Sequence, residues 1–146
     1  MKPKPVLIAL FVMLAAALAL MVGCTNSGGV SAADLKGTWV VESFGAPNGL
    51  TDAAQGVTTE ITFDDGGKAS GNGGVNSYSA TYEAADGGDL TFGPVMSTKM
   101  AGPPEAMAQE SAFFSALEKT RRFEFNDGKL VLAGTGNDTL AVLVSK

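Results

Sequence analysis

The chain has 146 residues, a formal net charge of −5 at pH 7, one cysteine and no histidine. The missing histidine excludes the Ser-His-Asp and Cys-His nucleophilic systems and the usual histidine-containing zinc sites. The lysines and arginines are dispersed along the chain, which argues against nucleic acid as a partner.

Lys2 and Lys4 precede an unbroken apolar run of 17 residues, Val6 to Val22, that ends at Gly23-Cys24. A basic head, an apolar middle and a small residue at the junction predict a secretory signal peptide over residues 1–23. Met21-Val22-Gly23-Cys24 resembles the bacterial lipobox, in which the cysteine is cut free and acylated, although leucine is usual where Met21 stands. The alternative is an uncut anchor helix, because a run of this length just spans a bilayer when tilted. On the lipobox reading, Cys24 carries lipid and the membrane is a partner through it. The protein is then held at the extracytoplasmic face of the cell envelope. Residues 24–34 read as a small, polar, flexible tether, and one domain follows from Leu35 to Lys146.

Loss of Lys2 and Lys4 with the leader leaves eight basic against fifteen acidic residues, a net charge near −7. A lipidated Cys24 is unavailable for catalysis or a disulfide. Core packing alone must therefore hold the domain together.

Thr38–Phe44 is strand-like, with Trp39 and Val41 on one face. Gly45–Gly56 is rich in Gly, Pro, Asn and Asp and reads as a loop. Val57–Phe63 alternates as a second strand with Val57, Thr59, Ile61 and Phe63 on one face, and Asp64-Asp65-Gly66-Gly67 turns the chain. Lys68–Ser70 opens a strand that the glycine stretch Gly71–Asn76 interrupts and Ser77–Glu83 resumes. That stretch predicts a sharp corner or a bulge. It also superficially resembles a phosphate loop, but it lacks the Gly-Lys-Ser/Thr ending and a strand follows it. After the Asp86-Gly87-Gly88 turn come Asp89–Phe92 and a short strand within Val95–Met100.

Pro103-Pro104-Glu105 signals a helix start, and the helix is predicted to run to about Arg121. Met107, Glu110, Phe114 and Leu117 step along one of its faces. A glutamate in an apolar stripe needs a partner. Bonding to the glycine corner or to Lys99 is expected. Phe123–Phe125, Lys129–Ala133 and Thr139–Val144 complete about eight short strands around one helix. The aspartates of the turns do not match a calcium loop, so no metal is expected. The fold class is mainly β, a small, strongly bent antiparallel sheet or barrel with one packed helix.

GNGGVN, SYSATY and STKMAG, followed by a helix carrying Glu110, Phe113, Phe114 and Leu117, resemble the META domain, also called the HslJ-like domain. Trp39 in a first strand and Ile61-Thr62-Phe63 fit as well. The resemblance covers Leu35 to Val144 and implies a small barrel-like domain with a packed helix. It marks Trp39, Gly71, Gly73, Gly74, Asn76, Tyr82, Thr98, Met100, Glu110, Phe114 and Leu117 as structural motif positions. Members are commonly secreted or envelope lipoproteins, some tied to heat shock or antibiotic tolerance, and no enzymatic activity is established for the family. Family members often place cysteines where this chain has Val75 and Gly102, so a redox role is not expected here.

Two function classes follow. One is a monomeric, non-enzymatic envelope module that binds a protein or small ligand during stress, without a cofactor. A variant of it inhibits a protease through Gly45–Gly56. The other is a carboxylate-based hydrolase, for which no paired-acid motif exists. Ser97 and Lys99 lie close in sequence but form no recognisable nucleophile–base constellation.

Overall fold

The computed structural model describes residues 29–46 and 49–146. Cys24 and the apolar leader lie outside the described residues. The strands are β1 (Gly37–Ala46), β2 (Gly49–Asp52), β3 (Glu60–Phe63), β4 (Lys68–Asn72), β5 (Ser77–Ala85), β6 (Asp89–Phe92) and β7 (Met96–Ser97). The helix α1 (Pro104–Lys119) then leads to β8 (Arg122–Asn126), β9 (Lys129–Ala133) and β10 (Thr139–Ser145).

Every pairing among the described residues is antiparallel. The order β10-β9-β8-β6-β5-β4-β3-β1 closes on itself through β1 and β10, so eight strands form a closed barrel. Closure leaves the barrel wall without free edges. Among the described residues two short strands stand outside this ring: β2 hangs on β1, and β7 pairs β5 beyond the end of β6. A register shift between Val41 and Ser43 lets β1 bend, as a bulge does, while it pairs β3 and β10 on its two sides. The thinnest seam is β6–β8, with the single register pair Asp89–Arg122.

Alternation fills the barrel. Trp39, Val41, Ile61, Phe63, Tyr78 and Leu90 point inward from successive strands and meet Leu130, Leu132 and Leu143 from the C-terminal strands. α1 supplies Phe113 and Leu117 to the same core, both fully buried, each stabilising by about 1.5–3 kcal/mol. Its most buried positions are Ala106, Gln109, Glu110, Phe113, Ala116 and Leu117. Met107 and Phe114, expected on the same stripe, lie on its flank and are half-buried. The helix ends at Lys119 rather than Arg121. Arg121 instead folds back to cap it, its Nη1 donating to the carbonyls of Glu118 at 2.9 Å and Thr120 at 2.6 Å.

Four expectations are corrected. Gly45–Gly56 is not simply a loop, because β1 runs on to Ala46 and pairs β2 in register from Ser43–Asp52 to Ala46–Gly49. All four β2 residues are exposed, and at such an edge the ladder stabilises a strand whose side chains have no core to fill. Six of the twelve residues put forward as an inhibitory loop, Gly45–Ala46 and Gly49–Asp52, are thus strand. The second strand starts at Glu60, after a turn closed by Val57 N–H donating to the Ala54 carbonyl. The glycine stretch makes the expected sharp corner only from Gly73, not a break at Gly71, since β4 continues through Gly71 and Asn72 in unbroken register with β5. The last part of the expected tether is docked. Val30 packs on the core, and Ala32–Leu35 form a 3-10 helix capped by Ser31. Asp86 Oδ1 accepts from Ala32 N–H at 2.9 Å, and Gly87 N–H donates to the Val30 carbonyl at 2.8 Å.

Candidate functional site

The turn between β4 and β5, Gly73 to Asn76, is the point on which α1 is fastened. Gly73 N–H donates to the Asn76 carbonyl at 2.8 Å and Gly74 N–H to Asn72 Oδ1 at 2.7 Å. Gly74 has φ of +133°, a conformation that side-chain-bearing residues rarely adopt. At Gly73 a Cβ would lie 2.7 Å from Glu110 Cγ and 2.8 Å from Phe114 Cζ. The corner must be glycine here because the helix is pressed directly onto it.

Glu110 is only 5% exposed. Its Oε2 accepts from the backbone N–H of Asn76 at 2.6 Å and of Val75 at 3.0 Å, and its Oε1 accepts from Asn76 Nδ2 at 2.7 Å. Burial pushes the carboxyl pKa up. The donors of Asn76 and Val75 outweigh that, with a smaller pull from Lys99, and hold it below the ordinary carboxylate value. No ion pair joins Glu110 to Lys99 among the described residues, and no hydrogen bond joins Lys99 to Ser97. The partner is therefore the corner, not the lysine.

Asn76 is the hub. Besides its bonds to Glu110, its Oδ1 accepts from Thr98 Oγ1 and Met100 N–H, both at 2.8 Å, and its Nδ2 donates to the Met100 carbonyl at 3.2 Å. One side chain thus ties the corner, the helix and the segment after β7 together. A second network adjoins it. Gln109 Oε1 accepts from Ala54 N–H at 2.7 Å, and its Nε2 donates to Thr59 Oγ1 at 2.9 Å. Thr59 Oγ1 donates in turn to the Gly73 carbonyl at 2.7 Å. Among the described residues no buried side-chain polar atom lacks a partner.

Gly73, Gly74, Asn76, Thr98, Met100, Glu110 and Phe114 therefore meet at one place. Trp39, Gly71, Tyr82 and Leu117 do not. Trp39 Nε1 donates to the Leu35 carbonyl at 2.8 Å, and Gly71 pairs Tyr78 in the β4–β5 ladder. Tyr82 sets its ring edge-on to Phe63 and its hydroxyl donates to the Asp64 carbonyl at 2.7 Å. Leu117 is core. Gln109 and Thr59 are site residues that sequence reasoning missed. Their signal was a second polar side chain beside Glu110 and a threonine two residues before the inward Ile61.

Beside this knot runs a groove of about 380 Å³ between the β7–α1 segment and the helix flank. Thr98, Lys99 and Met100 line one side, Met107 and Phe114 the other, with Asn76 in the floor. Met100 is 58% exposed. Tyr78, whose phenol donates to the Glu60 carbonyl at 3.0 Å, stacks edge-on under Phe114. Burial first, then the charge of Glu60, keeps that phenol protonated. No group of three or more His, Cys, Asp or Glu among the described residues is placed to hold a metal ion.

A closed antiparallel barrel, shut by one helix that is pinned through a glutamate to a glycine hairpin, defines a small barrel–helix class. The META domain profile matches residues 33–146, and the chain belongs to the META domain family. The NMR structure of a protein from Burkholderia xenovorans is similar to it, with a TM-score of 0.64 and 25% identity over 78% of this chain and 85% of that one. The crystal structure of a DUF4847 family protein from Bacteroides vulgatus ATCC 8482 shares the fold, with a TM-score of 0.53 and 19% identity over 77% and 94% of the two chains. Among curated proteins none matches.

Proposed function

We propose that this META-domain protein is a lipid-anchored module of the cell envelope that binds a partner, without catalysis, in a stress response. One observation carries the binding reading. The acid in the groove wall, Glu110, spends its oxygens on three donors and is held ionised, so it is a fastening and not an available acid or base. The rest of the groove is methionine, phenylalanine, hydroxyl and one lysine, a surface suited to contact. The basic head, apolar run and lipobox-like Met21–Cys24 support the anchor. The family's association with envelope lipoproteins and stress points the same way.

Two measurements test this. The purified full chain is expected to turn over no ester, amide, glycoside or phosphate substrate. Activity abolished by Glu110→Gln, with circular dichroism unchanged, would overturn the non-catalytic reading. Cys24→Ser is expected to leave the leader uncut or to release the domain. Correct processing and undiminished partition into detergent in that variant would refute the lipid anchor.

A further inference from the structure

The groove also has a directional feature, the edge of β7, and this deepens the binding-module reading on which it rests. β7 pairs β5 alone, with Ser97 opposite Tyr78 and Met96 opposite Ser79. Thr98 N–H donates to the Ser77 carbonyl at 3.1 Å, so Thr98 and, by alternation, Met96 turn their backbone toward β5. Met100 continues the pattern: both its N–H and its carbonyl bond the Asn76 side chain. The intervening residues, Ser97 and Lys99, therefore face their N–H and C=O groups the other way, two residues apart, as along a sheet edge. No strand pairs with that edge among the described residues. Across the groove from this segment stands the flank of α1, with Met107 and Phe114.

We propose that this slot takes an extended peptide segment of a partner protein, which adds as a strand to the β7 edge and sets an acidic side chain against Lys99. Main-chain bonding at a sheet edge, with alternate side chains dropping into an adjoining apolar groove, is a general mode of peptide capture. Three features select this occupant. The edge offers donors and acceptors at strand spacing, which a lipid tail or a small apolar ligand leaves unpaired. Exposed Met96 and Met100 and half-buried Met107 adapt to varied aliphatic side chains. Lys99 is the cation of the groove and forms no ion pair among the described residues, while Glu110 is already committed to Asn76 and Val75. With the Glu110 carboxylate, which also lines the groove, committed to three donors, Lys99 is the charge left to pair a negative group on the partner.

The test is a random octapeptide display library selected against the full chain in detergent micelles. Enriched peptides are expected to alternate aliphatic and polar residues around an aspartate or glutamate. In fluorescence anisotropy, N-methylation of one alternate set of peptide amides should weaken binding about tenfold, and the other set should not. Lys99→Glu should weaken it by about as much, and exchanging the peptide's acid for lysine should restore it. A library that yields no binder overturns the proposal. So do binders indifferent to both N-methylation and Lys99→Glu, since these sit elsewhere on the domain. That second outcome leaves the binding-module reading standing, whereas the turnover screen is what tests that reading itself.

Discussion

Replacing Glu110 by alanine tests the fastening between helix and corner. The substitution strands three donors: the N–H groups of Val75 and Asn76 and the side-chain amide of Asn76. Leaving a buried donor unpaired costs about 1–3 kcal/mol. The Val75 N–H is only partly buried and can recover a bond to groove water, so the two Asn76 donors dominate. The expected loss is about 3–4 kcal/mol, a large share of the 5–15 kcal/mol typical of a small domain. Trp39 is the single tryptophan and is buried, so its fluorescence reports unfolding directly. With a denaturant slope of about 1.5–2 kcal/mol/M, the urea midpoint should fall by roughly 2 M. Because Asn76 and Glu110 share bonds, the double variant with Asn76→Ala should cost at least about 1 kcal/mol less than the two single losses added together. A midpoint displaced by less than about 0.5 M in Glu110→Ala, with the slope unchanged, would refute the account.

Two further outcomes follow from the same corner. The folded Glu110 pKa lies below the unfolded one, so the unfolded chain takes up the proton first as pH falls. The contribution of Glu110 is full above the ordinary carboxylate range and is lost as pH drops toward the folded value. The stability gap between the wild type and Glu110→Gln should therefore narrow on acidification, and a constant gap would contradict this. A Cβ built on Gly102 would lie 3.3 Å from Val75 Cβ, close to the ~3.5–4.5 Å of a disulfide. The double variant Val75→Cys/Gly102→Cys should therefore oxidise and gain about 3–4 kcal/mol over its reduced form, and equal urea midpoints with and without dithiothreitol would count against it.

Most of the barrel was legible because its strands alternate locally. Thr59, Ile61 and Phe63 all point inward, and the helix start at Pro103-Pro104-Glu105 was marked by proline and charge. Glu110 stood out because a glutamate among apolar helix positions must be bonded. Asn76 was marked only through the family motif, since nothing local shows that one amide will serve three chain segments. β2 was hidden because Gly49–Asp52 has no inward face and owes its existence to the β1 ladder. Closure through β1 and β10 depends on residues about a hundred positions apart, and local patterning does not record such pairings. The docking of Val30 was hidden for a related reason. A small, polar segment reads as a tether until the Asp86 turn that receives it is in place.

That docking fixes where the chain enters the barrel. The chain joins the barrel at Val30, clasped by the turn that follows β5, whereas Asn76 and the groove lie just before β5 begins. The two points are separated by the nine-residue length of that strand, about 30 Å. On the proposed attachment at Cys24, six residues precede Val30 and reach at most about 20 Å even when fully extended. That reach is shorter than β5 is long. On that attachment the Asp86 end of β5 lies within this reach of the lipid, and the groove opens at the other end of the strand.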